Sequence, residues 1–214
     1  MTNLIADLEA FKNEQLAPIV AAGQLSISDA GGDTKQLLQI ALANEINVAE
    51  LAAAWMPSTP ELEVKLAFAR QTGDEAGHFL LVAERLTLLG LDVRNFAPPP
   101  GNPMFEFLRG LTTTVERVAA GLFTLESIAY GVNENFMALC AARGDHETVR
   151  IYREYIQPDE KAHQESGQRL LAKYATTPEL AQLARDTIGK LLELAAHTRA
   201  AAATRLGTAC FPGC

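Results

Sequence analysis

Cysteine is scarce: three in 214 residues, an odd number that argues against a disulfide framework. Positive charge is short as well, with 18 Lys and Arg against 26 Asp and Glu, a formal net charge of −8. Nucleic acid and anionic membrane surfaces are bound through basic patches, so neither is expected as a partner. No run of 18 apolar residues occurs. The longest candidate, Val118 to Val132, is interrupted by Glu126, so no membrane-spanning helix is expected. The first residues lack the basic and apolar regions of a secretory signal, because Asp7, Glu9, Lys12 and Glu14 are interspersed through them. No flavin or nicotinamide fingerprint is visible, and no linker, since glycine and proline are spread out. The expected setting is the cytoplasm.

What is present is apolar periodicity. Apolar residues make up 48% of a chain long enough for one domain with a full core. A first helix is expected from Thr2 to about Ala22, before a Gly/Ser/Asp stretch from Gly23 to Asp33. Asp33 and Gln36 read as a capping box for a second helix that ends near Trp55, before Pro57. Thr59-Pro60-Glu61 signals the start of a third helix running to Gly90. Leu91 to Gly101 is a long loop containing three consecutive prolines. A fourth segment opens at Asn102-Pro103, with a break near Leu111-Thr112 and a capping box from Thr113 and Glu116, and stops at Gly144. Asp145 caps a fifth, which reaches Tyr174 and should kink or bulge at Pro158. Thr177-Pro178 opens a sixth, to Leu206.

Two helical turns repeat one pattern: Asp74-Glu75-Ala76-Gly77-His78 and Asp159-Glu160-Lys161-Ala162-His163. Residues three apart share a helix face, so Glu75 with His78, and Glu160 with His163, aim one oxygen and one nitrogen at a common point. A lone glutamate precedes each pair: Glu45 by 30 residues, Glu126 by 34. All six fall at the centres of apolar stripes. The chain thus reads as a duplicated helical hairpin, all-α, with a four-helix core over 33–174, flanking helices over 1–22 and 177–206, and a tail over 207–214.

A buried carboxylate without a partner costs several kcal/mol. Four of them would undo a bundle whose net stability is roughly 5–15 kcal/mol. They must be protonated, paired with bases, or bound to cations, and the inward stripes carry no Lys or Arg near them. Four Glu and two His form the ligand set of a two-metal carboxylate site in a bundle. That donor set suits Fe, Mn or Zn, with iron, alone or as Mn/Fe, the first expectation. Asp74 and Asp159 sit at the stripe edges, where each would accept a hydrogen bond from the His of the opposite helix.

The pattern resembles the ferritin-like di-metal carboxylate superfamily, over roughly Asp33 to Tyr174. The resemblance implies a ferritin-like four-helix bundle with two additional flanking helices. Glu45, Glu75, His78, Glu126, Glu160 and His163 would be its metal ligands, and Asp74 and Asp159 their supports. Within that superfamily it is most similar to the oxygen-activating branch of ribonucleotide reductase small subunits and related oxidases. Val82 stands where a reductase has its radical tyrosine, and the added Cys-x-x-Cys domain of rubrerythrins is missing.

The leading expectation is an oxidoreductase that activates dioxygen to oxidise a small apolar substrate, with electrons from an external donor. The alternatives are a metal-handling ferroxidase or peroxide scavenger without an organic substrate, and a scaffold that keeps only the bundle. An acidic, apolar-rich bundle with spare flanking helices is a candidate homodimer. Tyr130, one turn past Glu126, is a candidate catalytic residue or a core residue. Trp55, Phe68, Phe79, Phe123 and Phe136 would pack the core or line a cavity. Gly77, Gly121, Gly131 and Gly167 would leave substrate space or permit close packing. His146, His197, Glu50, Glu84 and Glu134 read as surface groups. Cys210 and Cys214 would lie in a frayed tail as reduced thiols.

Overall fold

The computed structural model describes residues 4–27 and 32–213, and all regular structure among them is helical. Helix α1 spans Leu4–Leu25, α2 Thr34–Trp55 and α3 Leu62–Leu88. After the proline loop come α4, Pro103–Arg109, and α5, Thr114–Arg117. Helix α5 passes through a π-helical stretch, Val118–Leu125, into α6, Glu126–Ala142. Helix α7, His146–Ile151, likewise runs through a π-helical stretch, Tyr152–Ile156, into α8, Gln157–Tyr174. Helix α9 is Pro178–Leu206.

Most boundaries follow local chemistry. Asp33 caps α2 by accepting from the Lys35 amide at 3.2 Å, a simple cap in place of the box expected with Gln36. Thr113 and Glu116 form the reciprocal capping box expected for α5. Thr177 caps α9, Pro178 occupies its first turn, and Gly207 closes it at φ 69° with its N–H on the Ala203 carbonyl at 2.9 Å. The start of α3 differs from expectation. Thr59 does not cap it; its hydroxyl donates back to the Trp55 carbonyl at 2.8 Å, and the helix begins at Leu62. Thr2, the expected start of α1, and part of the 23–33 break lie outside the described residues.

The four core helices are α2, α3, the α5–α6 run and the α7–α8 run. Helix α2 packs along α3, and α8 along α6 and the first π stretch; α1 and α9 pack on each other and over the α5–α6 run. The interior holds two apolar clusters. One contains Val48, Phe68, Leu122, Phe123 and Leu170, the other Leu42, Val82, Phe136, Tyr152 and Ile156. Each core helix passes from one cluster to the other; in α2, α3 and the α7–α8 run the predicted ligands fall at the crossing, whereas Glu126 lies within a stretch, 118–132, whose clustered residues all belong to the first. The polar layer therefore lies between two hydrophobic halves. Helix α2 is long and apolar enough by composition to cross a membrane, but 56% of its apolar window is buried inside the protein, around Glu45.

The tail is not frayed. Thr208, Cys210 and Phe211 are buried. The Arg199 guanidinium donates to the Phe211 and Gly213 carbonyls at 2.7 and 2.8 Å, and the Gly213 amide donates to Asn133 Oδ1 at 2.9 Å. The sequence gives no mark of this anchor, since Arg199 lies far up α9. Cys214 lies outside the described residues.

Candidate metal centre

The structure brings all six predicted donors together. Glu45, Glu75, His78 and Glu160 offer ligand atoms within 4.8 Å of one another, and so do Glu75, Glu126, Glu160 and His163. Glu75 and Glu160 belong to both groups. Each of the six is 2–4% exposed.

Within the first group, His78 Nδ1 stands 3.5 Å from both Glu45 Oε2 and Glu75 Oε2. Within the second, His163 Nδ1 stands 3.6 Å from Glu75 Oε1 and 3.5 Å from Glu126 Oε1. These separations are long for hydrogen bonds, whose heavy atoms sit about 2.7–3.2 Å apart. They match donors around a shared cation: metal bonds of about 2.1 Å in tetrahedral array set neighbouring ligand atoms roughly 3.4 Å apart. Accordingly both Nδ1 atoms, Glu75 Oε1 and Glu160 Oε2 are buried without a hydrogen-bond partner. Natural interiors rarely leave such atoms unsatisfied, so a divalent ion at each group fits the residues present.

The outer nitrogens are held as anticipated. His78 Nε2 faces Asp159 Oδ2 at 3.4 Å, and His163 Nε2 faces Asp74 Oδ2 at 3.0 Å, each across to the opposite helix. Asp74 is itself gripped by Arg70 Nε at 3.2 Å. A carboxylate on Nε2 fixes the imidazole tautomer, leaving Nδ1 as a lone pair aimed inward.

Burial and mutual repulsion drive the carboxyls of the cluster toward their protonated forms. Burial, then the neighbouring Glu160 charge, pushes the Glu75 carboxyl well above its usual range. Burial and the Glu126 charge do the same to Glu160. Burial and Glu75 push Glu126 up to about 8. Burial works against a charged His78, but the Glu45 and Glu75 carboxylates outweigh it and its pKa is raised.

The sequence does not mark the two π-helical stretches as such. The first ends at Glu126, and Thr124 Oγ1 donates to the Ala119 carbonyl five residues back at 2.7 Å. The widened turn resets the angular register ahead of Glu126, and such turns recur at functional sites. The second precedes Pro158, whose missing N–H removes an α-helical bond there, so the bulge expected at that proline takes this form. Gly167, one turn after His163, lets α8 lie against the first stretch: an added Cβ would stand 2.7 Å from the Phe123 nitrogen. Gly121 makes room for the Trp55 ring and Gly131 for Val20, whereas Gly77 has open space around it.

Three polar residues near the centre were not singled out from the sequence. Gln71, one turn before Glu75 on the same stripe, donates from Nε2 to Glu126 Oε1. Lys12, fully buried on α1, donates to Ser127 Oγ at 2.7 Å and lies 4.2 Å over the Phe123 ring, beside rather than among the carboxylates. Tyr152 is fully buried, its hydroxyl has no hydrogen-bond partner, and burial followed by the Glu45 charge raises its pKa. Tyr130 is only half-buried and its hydroxyl bonds to none of the six donors; its carbonyl accepts from Gln157 Nε2 at 3.2 Å. Trp55, Phe68, Phe123 and Phe136 are core residues and Phe79 is half-buried. His146, His197, Glu50, Glu84 and Glu134 are exposed.

No family model matches this chain, and no curated protein sequence does. Among solved structures it is similar to a domain of unknown function with a heme oxygenase-like fold from Shewanella denitrificans OS217. The two share 16% identity over 92% of this chain and 89% of the other, with a TM-score of 0.65. At that identity the likeness concerns the fold alone: this chain has a heme oxygenase-like helical fold, with a buried Glu/His cluster suited to metal ions.

Proposed function

We propose that this chain is a di-metal carboxylate oxidoreductase of ferritin-like type, holding two ions, iron or Mn/Fe, and using dioxygen to oxidise a small apolar substrate. The observation that supports it most is the pair of overlapping donor groups sharing Glu75 and Glu160. Glu45 and His78 would complete one ion's ligands, and Glu126 and His163 the other's. Bound there, a redox-active metal pair would supply Lewis acidity and electrons for dioxygen reduction.

The protein's own part is orientation and exclusion. Asp74 and Asp159 hold the outer nitrogens of His163 and His78. Gln71 holds Glu126. The apolar clusters above and below keep water from the donors, which strengthens every charge interaction between them. The Tyr152 phenol is buried without an internal partner, and the Glu45 and Glu160 charges disfavour its ionised form, so it stays protonated. Electrons come from an external donor, and the expected setting is cytoplasmic.

A second reading, metal oxidation without an organic substrate, is favoured by one observation. A pocket touching His163, between α3 and α8, has a volume of about 120 Å³ and is partly lined by Arg70 and Arg169. That is less room than a cavity of about 150 Å³ that admits benzene. Oxygen uptake decides between them. Protein loaded with Fe(II) and supplied with a chemical reductant and a small apolar substrate should consume oxygen in step with oxidation of that substrate, and Glu75→Ala should not. Uptake with the substrate left unchanged supports the second reading, and no uptake refutes both.

A further inference from the structure

Helix α3 turns Glu75 and His78 inward, and its opposite face is left uncovered. Leu62, Leu66, Leu80 and Leu88 on that face are 71, 60, 67 and 69% exposed. At about 100° per residue they fall within an arc of roughly 80°, so they form one line along the helix. Exposed Glu84 falls in the same arc between Leu80 and Leu88, so the part of the line with no charge at its centre runs from Leu66 to Leu80. Single exposed apolar residues are ordinary, whereas a clustered run marks an interaction site.

Two glycines interrupt the line. Gly73 and Gly77 have nothing within 4 Å of where a Cβ would stand. The other glycines inside the helices differ: Gly23, Gly121, Gly131, Gly167 and Gly189 each meet another group at 2.6–3.3 Å. Contacts within the chain explain those five. They do not explain Gly73 and Gly77.

The spacing is palindromic. Leu66, Ala69, Gly73, Gly77 and Leu80 follow one another at intervals of three, four, four and three. A two-fold axis at Gly73 would set α3 antiparallel to its copy, with Gly73 facing itself, Ala69 facing Gly77, and Leu66 facing Leu80. A self-complementary patch of this kind is what a two-fold interface requires. Small residues at the centre let the backbones approach, and the leucines fill the flanks.

Charge agrees with the same axis. Arg70 and Asp74 lie on one side of the line, within a turn of Gly73. Antiparallel pairing brings Arg70 of each copy beside Asp74 of the other. Arg70 already contacts Asp74 of its own chain at 3.2 Å with its side chain 66% exposed, so it has room for a second partner. Two copies would close a ring of alternating charge at the axis.

We propose that the outer face of α3 is a self-association surface, through which two copies of this chain pair antiparallel about Gly73. The proposal does not depend on the metal assignment. Sedimentation equilibrium of the full chain tests it across roughly 1–100 μM, the range of modest protein interfaces. Wild type should dimerise. Gly73→Lys, which opposes two ammonium groups on the axis, should weaken the dimer by roughly a hundredfold or more. Lysine is a better helix former than glycine at an exposed position, so the melting temperature of the variant should hold or rise. Gly73→Cys should form a disulfide-linked dimer under mild oxidation, and Glu50→Cys on α2 should not. A wild type that stays monomeric, a dimer that Gly73→Lys leaves unchanged, or a Gly73→Cys chain that fails to cross-link would each overturn the proposal.

Discussion

Replacing Gly167 by alanine should separate the two halves of the site by pushing apart their backbones. An alanine Cβ there would lie 2.7, 2.8 and 2.9 Å from Phe123 N, Leu122 C and Phe123 Cα. Ordinary contact needs about 3.5 Å or more, so α8 must retreat from the π-helical stretch by about 0.8 Å, against main-chain atoms that cannot rotate away. Overpacking of this kind costs about 1–3 kcal/mol, and the better helix propensity of alanine returns up to about 1 kcal/mol. A net loss of about 1–2 kcal/mol would lower the melting temperature of a chain this size by roughly 2–8 °C. Gly189→Ala is the comparison, because its Cβ meets only the edge of the Phe11 ring at 3.3 Å. It should be neutral within about 0.5 kcal/mol. The same retreat moves Glu160 and His163 away from Glu126, so Gly167→Ala should also retain less metal. Urea unfolding with elemental analysis reads both effects. A Gly167→Ala protein as stable and as metal-rich as wild type would refute the claim that this close approach positions the site.

Three further predictions follow from particular side chains. Burial lowers the Lys12 pKa from 10.5 to about 8, so between those values the unfolded chain holds a proton that the folded chain has released, and stability should rise with pH. The gain should be on the order of 2–3 kcal/mol by urea unfolding, and a Lys12→Met chain should lack it. Asp74→Asn, which weakens the hold on His163 Nε2, should lower metal affinity about 10–100-fold in a chelator competition while the circular dichroism spectrum is kept. Metal-stripped protein should lose stability as pH rises from about 4.5 to 8, because folded Glu126 keeps its proton to about 8 whereas the unfolded carboxyl releases it lower. Glu75, Glu160 and His78 act in the same direction. The metal-loaded protein should not show this slope, and a flat profile after stripping would contradict the account.

The six donors were legible because two independent signals coincide on them. The i, i+3 spacing puts Glu and His on one face, and apolar neighbours put that face inside. The crossed Asp–His contacts were legible for the same reason, since the angle of Asp74 and Asp159 follows from their place next to the glutamates. What escaped the sequence depends on how helices meet. The Val118–Leu125 stretch contains no proline, so nothing local announces its widened turn, and the groups that approach it, Gly167 at Phe123 and Trp55 at Gly121, come from other helices. Lys12 is one of several charges along a flanking helix, and only the packing of α1 over Ser127 and Phe123 buries it. Tyr152 carries no ligand spacing, and only the fold buries its hydroxyl where the Glu45 charge acts on it. The tail looked unstructured because its anchors, Arg199 and Asn133, are carried by other segments.

Metal content tests the central claim most directly. Protein produced with iron present, measured by elemental analysis beside its Glu75→Ala and His163→Ala variants, should hold close to two ions per chain, and each variant should lose at least one. A chain that carries only traces of metal, or variants that keep the full complement, would contradict the reading of Glu45, Glu75, His78, Glu126, Glu160 and His163 as one two-metal site.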